Sequence, residues 1–252
     1  PTMGALHAGH LSLVQAARDE CDVVAATIFV NPTQFGAGED LDKYPRQLEL
    51  DLEKLASESC DLVFAPSAST MYPAGCETKI DVGAVARTLE GESRPTHFAG
   101  VATVVMKLLN ILPAQFAYFG RKDYQQTLVI QRMVEDLNVP VELRFCPIVR
   151  DPDGMAMSSR NAYLSPQERE NASQISASLR HASALYQQGE RSAEVIRQSI
   201  LERLAAHDLR VDYVSLVRDG TVEPVQQLDA PSVVLIAARA GKTRLIDNTL
   251  LK

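Results

Sequence analysis

The 252-residue chain predicts an α/β protein, an open parallel sheet followed by a smaller α+β unit. Three observations carry that expectation. Short β-branched runs alternate with amphipathic segments as far as the turn DPDG (151–154), the pattern of parallel βαβ units with right-handed crossovers. Beyond that turn the alternation stops, and two long helical patterns are followed by three strands. The third observation is the opening stretch PTMGALHAGH (1–10), rich in glycine and histidine and placed where a strand would pass into the first helix. In open parallel sheets, ligand sites gather at such carboxyl ends.

The strand leading into PTMGALHAGH is expected upstream of Pro1, and the residues after Pro1 have no charged and apolar blocks of the signal-peptide kind. DVVAATIFV (22–30) reads as a buried strand and NPTQFG as the loop after it. A helix is expected over about 45–58, with Leu48, Leu52 and Leu55 as its apolar stripe, then a strand DLVFAP (61–66) ended by Pro66. Val101, Val104, Val105, Leu108, Leu109 and Leu112 recur at i, i+3, i+4, i+7, i+8 and i+11, a broad stripe that must be buried. QFAYFG (115–120) is the next strand, Asp123 opens a helix carrying Val129, Met133 and Leu137, and VELRFCPIV (141–149) is a further strand. Helices come next over about 166–188 and 192–207, joined near Gly189, with strands at about 210–217, 232–238 and 243–247. The division into a sheet domain (1–160) and a smaller α+β domain (161–252) is expected near Arg160.

Composition narrows the function. Apolar residues make up 46% of the chain, with 13 Gly and 13 Pro, which is ordinary globular usage. A net charge of −7 argues against an extended nucleic-acid or anionic-membrane surface and favours small ligands. Cys21, Cys60, Cys76 and Cys146 show no C-x-x-C, so free thiols in a reducing cytoplasm are expected rather than disulfides or a zinc site. The apolar stretches are all interrupted well before the ~18 residues a bilayer span needs, so a soluble chain is expected.

Three segments carry chemistry. His7 and His10 share one face if a helix begins near His7, where free amides and the helix dipole favour an anion and imidazole N–H groups add donors. Gly4 and Gly9 remove side chains where a nucleotide would approach the backbone. Strand, H-x-G-H, helix is the phosphate-handling signature of the class I nucleotidyl-transfer fold, a Rossmann-like sheet; the plainer alternative is two histidines on an exposed helix start. In GRKD (120–123), Lys122 can present charge to a phosphate chain while Asp123 caps the helix or accepts from ribose. MAMSSR (155–160) offers two hydroxyls and a guanidinium after a tight turn, as a closing loop over ATP does, or as a polar linker would. Asn31, Gln34, Gln125 and Gln126 are amides suited to a hydroxyl-bearing substrate.

PTMGALHAGH, FVNPTQFG, EDLDKYPR, YFGRKDYQQ, MSSRNAYLS and KTRLIDN, in that order, resemble the pantothenate synthetase family, ligases that join pantoate to β-alanine using ATP. The resemblance covers essentially the whole chain and implies a pantoyl adenylate intermediate, Mg²⁺ with the ATP, no protein metal site, and a cytoplasmic homodimer. By matching motifs it implies ATP contacts from Met3, Gly4, Ala5, Leu6, His7, Ala8, Gly9 and His10, from Gly120, Arg121, Lys122 and Asp123, from the backbone near Val149, and from Met157, Ser158, Ser159 and Arg160. It further implies that Gln34 and Gln126 hold pantoate, with Asn31 beside them and Gln34 also on the β-alanine side. His10 is the proton donor by this resemblance, and His7 and Lys122 share the catalytic site. The family usually has about two dozen residues before this point, and Thr96 stands where its R-P-G-H-F motif more often has glycine. Two other functions share parts of the pattern: a nucleotidylyltransferase, which would need extra cations for a phosphorylated acceptor, and a non-catalytic nucleotide-binding module.

Overall fold

The computed structural model describes residues 1–36 and 38–252. It divides into two compact units, Pro1–Pro147 and Ile148–Lys252. The break lies ahead of the DPDG turn rather than at Arg160, because the turn is bonded into the second unit. Met157 N donates to Val149 O, and Arg150 pairs with Asp247.

The first unit runs α1 (Ala8–Glu20), β1 (Ala25–Thr27), α2 (Leu48–Ser57), β2 (Leu62–Phe64), α3 (Ala68–Met71), α4 (Glu90–Ser93), α5 (His97–Ile111), β3 (Phe116–Gly120), α6 (Tyr124–Asp136) and β4 (Glu142–Cys146). Short 3₁₀ turns lie at Pro32–Gln34, Gly83–Ala86 and Arg121–Asp123. β1 pairs with β2 and β3 with β4, both in parallel, and Thr2 bridges in parallel to Ile28 beside β1. The 22–30 run keeps a ladder only over Ala25–Thr27. Its entrance is held instead by side chains: Arg18 donates to the carbonyls of Cys21 and Asp22, and Val24 N donates to Asp61.

α5 buries the expected stripe through Val101, Val104, Val105 and Leu108, packed against Phe29, Phe119, Ile130 and Met133. Leu137 falls past the end of α6 and is exposed. In α2 the outcome differs from the apolar pattern. Leu48 and Leu52 are 45% and 40% exposed, and the buried residues are Asp51 and Leu55.

The second unit holds α7 (Pro166–Gln187), α8 (Ala193–Ala205), β5 (Leu209–Arg218), β6 (Ser232–Ala240) and β7 (Thr243–Leu251), the strands forming an antiparallel sheet in the order β5-β6-β7. Ser165 and Glu168 form a capping box with Pro166 in the first turn of α7, and Gly189 adopts φ +100° between the helices. Ile196, Ile200 and Leu204 of α8 pack with Leu179 and Ile236 into this unit's own core. Among the described residues no helix is long and apolar enough to cross a membrane, and the four cysteines are free thiols.

The start of α5 fixes the loop at 31–34. Thr96 caps it with φ −97°, a conformation any residue adopts, so glycine is not required there. Gly100 is different. A Cβ on it would strike the Thr33 carbonyl and lie 2.7 Å from Gln34 Cα. Gly100→Ala should therefore push the 31–34 loop off α5 and cost about 1–3 kcal/mol. Denaturant unfolding checks this, and an unchanged midpoint would mean the loop has room to spare.

Candidate active site

The site begins with a backbone turn. Gly4 (φ +80°) and Ala5 (φ +52°) are both left-handed, and the turn they make directs two consecutive amides at one carboxylate. Ala5 N donates to Asp51 Oδ2 at 2.8 Å and Leu6 N to Oδ1 at 2.8 Å. Asp51 is 1% exposed and also accepts from Gln47 Nε2. Lys54, one turn further along α2, donates to the Leu6 carbonyl at 2.7 Å. The Leu6 side chain itself sits in the core with Val14, Val24 and Leu55. A Cβ on Gly4 would come 2.9 Å from Asp51 Oδ2 and 3.1 Å from Ile28 Cγ2. Glycine is needed there by the protein's own carboxylate, before any nucleotide is considered. With Asp51 and Leu55 turned inward, Leu52, about 100° further round α2 from Asp51, faces out.

His7 is the N-cap of α1, extended at φ −132°, ψ 174°. Its Nδ1 accepts from Gly9 N at 3.2 Å, and His10 Nδ1 accepts from His7 N at 3.3 Å. This is a capping box in which imidazoles replace the usual hydroxyl and carboxylate. The rings lie 4.1 Å apart, tilted by 44°. A ring nitrogen that accepts a hydrogen bond carries no proton, so the neutral tautomer of each ring bears its proton on Nε2. Burial, and then the neighbouring His7, push the pKa of His10 down to about 3; Lys122 acts in the same direction and Asp123 opposes. At neutral pH His10 is thus an uncharged Nε2–H donor. The amides of Ala5, Leu6, His7 and Gly9 are all bonded within the protein. An anion approaching this helix start meets the Ala8 amide and the imidazole donors, fewer amides than the sequence suggests.

That Lys122 and Asp123 act on His10 places GRKD beside the H-x-G-H segment. Gly120 ends β3, the 3₁₀ turn Arg121–Asp123 comes next, and α6 begins at Tyr124. Asp123 makes no side-chain cap bond to α6; its carboxylate lies 3.6 Å from Lys122 Nζ.

Three of the four amides are buried, and Gln126 is half-buried. Asn31 is 1% exposed: it donates to Gln34 Oε1 (3.1 Å) and Gly100 O (3.1 Å) and accepts from Thr33 and from Tyr72 OH. It braces Gln34 rather than facing outward. Gln34 keeps Nε2 against Met3 Sδ at 2.9 Å, a weak acceptor, which joins the 31–34 loop to the first loop. Its backbone carbonyl accepts from His97 Nδ1 (2.9 Å) and Arg94 (3.3 Å), and Arg94 forks onto Glu39. Gln125 is consumed by Glu90 N and the carbonyls of Val85 and Thr88, whereas Gln126 is half-buried. Asp51, Arg94 and His97 were not singled out from the sequence. For Asp51 a signal existed, since it sits four residues before Leu55 and so shares its face.

The remaining motif residues belong to the second unit. Val149 and Met157 lie across a hairpin closed by Gly154 (φ +89°), with Arg150 opposite Ala156. Arg150 reaches Asp247 at 2.6 and 3.0 Å, which ties the hairpin to β7. Ser158 accepts from Arg160 N as the cap of a 3₁₀ turn over Ser159–Tyr163.

A parallel α/β unit with paired imidazoles at the start of its first helix, beside a lysine at the end of a later strand, defines a protein of the H-x-G-H nucleotidyl-transfer class with a smaller α+β unit appended. The family model for pantoate-beta-alanine ligase matches residues 1–250. A pantothenate synthetase of Thermotoga petrophila is 52% identical over 252 residues, all of this chain and 90% of that protein. The crystal structure of pantothenate synthetase from Thermus thermophilus superposes with a TM-score of 0.96 at 46% identity, covering 99% of this chain and 91% of that one. A pantoate-beta-alanine ligase from Francisella tularensis, complexed with beta-gamma ATP and beta-alanine, matches with a TM-score of 0.81 at 38% identity, covering 99% and 87%. The chain belongs to the pantoate-beta-alanine ligase family.

The histidine pKa has a consequence for stability. An unfolded histidine titrates near 6.5, and in the fold His10 does so at about 3. Between those values the unfolded chain binds more protons, so stability falls as the pH drops through that window. His97, lowered to about 4 chiefly by burial, acts with the same sign. His10→Gln should therefore lose less stability than the parent between about pH 7 and about pH 4 in urea titrations. Parallel losses in the two proteins would contradict a neutral His10.

Proposed function

We propose that this chain condenses pantoate with β-alanine, consuming ATP and releasing AMP and pyrophosphate. What carries it is the match to the ligase family over residues 1–250, together with the His10 imidazole, whose Nδ1 accepts from His7 N and on which Lys122 acts. ATP and β-alanine as substrates are further supported by the Francisella relative, which was complexed with beta-gamma ATP and beta-alanine.

Pantoate's carboxylate is ionised at neutral pH, so its attack on the α-phosphorus needs no general base. The obstacle is one anion approaching another. A carboxylate oxygen bonds to phosphorus, the bond to the bridging oxygen breaks, and pyrophosphate leaves with that electron pair. Lys122 supplies a positive point charge, while His10, assisted by His7, donates N–H groups to oxygens whose charge is growing. In the second step the β-alanine amine attacks the acyl carbonyl, the C–N bond forms, AMP departs and a proton is released. Gln34 and Gln126 are assigned to pantoate, Gln34 through the Nε2 that Asn31 orients. Arg121, Val149, Met157, Ser158, Ser159 and Arg160 are assigned to the nucleotide by motif. Mg²⁺, a hard cation, would be carried by the phosphate oxygens of ATP, where it would supply charge neutralisation. Among the described residues no cluster of three or more His, Cys, Asp or Glu could hold a metal. The family resemblance extends the proposal to a homodimer in the cytoplasm.

Labelled pyrophosphate should exchange into ATP with pantoate present and β-alanine absent, and should not exchange without pantoate. Lys122→Ala should abolish exchange and net synthesis together, and His10→Ala should lower both by about a hundredfold. Exchange that required β-alanine would rule out a free adenylate. Exchange seen only with a phosphorylated acceptor would make the protein a nucleotidylyltransferase.

A further inference from the structure

We propose that Asp51 is a positioning residue for adenylate formation: through the amides of Ala5 and Leu6 it fixes where the imidazoles of His7 and His10 stand. The proposal rests on the assignment of His10 as a donor to the reacting phosphate. It starts from a carboxylate that α2 itself has no use for. Asp51 is 1% exposed in a helix whose leucines at 48, 50 and 52 are 45%, 52% and 40% exposed. Burying a carboxylate is costly unless donors replace its water. Two of the three donors on Asp51 are consecutive amides of a single loop, 46 and 45 residues earlier in the chain, and the third is Gln47.

The second of those amides belongs to Leu6, the residue before His7. From there the path to the reacting nitrogens has no slack. His7 is held at both ends of its cap, by Gly9 N on its Nδ1 and by His10 Nδ1 on its own N–H, and its carbonyl accepts from His10 N and Leu11 N. Lys54 holds the loop from the opposite side, through the Leu6 carbonyl. Ala5 adopts φ +52°, a conformation unfavourable for a residue with a Cβ, and the adjoining bonds to Asp51 hold it there. The carboxylate also occupies the two amides that would otherwise attract phosphate, and its negative charge keeps phosphate off that turn. Beside the Ala8 amide, the imidazole N–H groups are the donors this segment brings to the phosphate, so their placement helps decide where the phosphate sits. A displacement of about 1 Å in such a donor is enough to cost about a hundredfold in rate.

The test is a mutant cycle read by pantoate-dependent pyrophosphate exchange, on full-length protein whose folding is checked by circular dichroism. Asp51→Asn keeps the shape but turns an NH₂ group toward one of the two amides. It should lower the exchange rate by about tenfold or more at saturating pantoate, with little change in KM for pantoate. In a His10→Ala background the same change should cost less than about threefold, because the group it positions is gone. Lys54→Met leaves the carboxylate in place and provides a second variant; it should show a smaller loss with the same dependence on His10. A purely structural role would lower the melting temperature while costing the same factor with and without His10. Folded Asp51→Asn with parental exchange, or losses from either variant that multiply independently of His10→Ala, would overturn the proposal. A harmless His10→Ala would be a different failure, that of the assignment of His10 itself.

Discussion

The bond pair between the Asp51 carboxylate and the amides of Ala5 and Leu6 is the constraint on which the rest of the first unit's site depends. A carboxylate taken out of water must find donors, and these two amides meet it only if the chain turns through two left-handed residues. That demands glycine at position 4, where a Cβ would collide with the carboxylate. It also demands that α2 turn Asp51 inward, which leaves the next residue round the helix, Leu52, outside. The loop then delivers His7 to the helix start in the extended conformation that an N-cap needs.

Electrostatics follow from that placement. Packed against His7 and close to Lys122, His10 stays uncharged through the neutral range, and the acceptor role of its Nδ1 leaves the proton on Nε2. On the proposed reading the site divides its work between permanent charges, Lys122 among them, and the uncharged imidazole of His10. The charge draws in a polyanion. In the proposed reaction a neutral donor such as His10 would strengthen its bond as charge moves onto the phosphate oxygens, without a full opposite charge that would bind reactant and transition state alike. The 31–34 loop is built on a similar plan. A buried amide, Asn31, spends its hydrogen bonds on orienting its more accessible neighbour Gln34, and Gly100 lets the loop lie directly on α5.

Much of this is legible in the sequence, and the gaps have a physical pattern. The α5 stripe, the parallel strand pairs and the helices and meander of the second unit express local periodicity, because in each the buried face is the apolar one. The motifs locate H-x-G-H and GRKD, and the structure brings them together. α2 departs from its leucine pattern because its inward residue is chosen by two amides more than forty residues away, a term that no local hydrophobic pattern contains. Asn31 and Gln125 cannot be told from Gln34 and Gln126 by sequence for a similar reason. The side chains are chemically alike, and only the tertiary hydrogen bonds decide that Gln125 bonds to backbone groups and Asn31 to the Gly100 carbonyl, while Gln34 is bonded to the side chains of Asn31 and Met3. The unit boundary falls at Pro147 rather than Arg160 because the bond between Arg150 and Asp247 joins residues 97 apart.

Nitrogen-15 NMR of the imidazole rings shows whether the clamped loop presents His10 as a neutral Nε2–H donor. Ring nitrogen shifts distinguish the Nε2–H tautomer, the Nδ1–H tautomer and the imidazolium. His10 should show the neutral Nε2–H pattern at neutral pH and keep it well below the ordinary histidine value of 6.5. A His10 that titrates near 6.5, or that carries its proton on Nδ1, would contradict it.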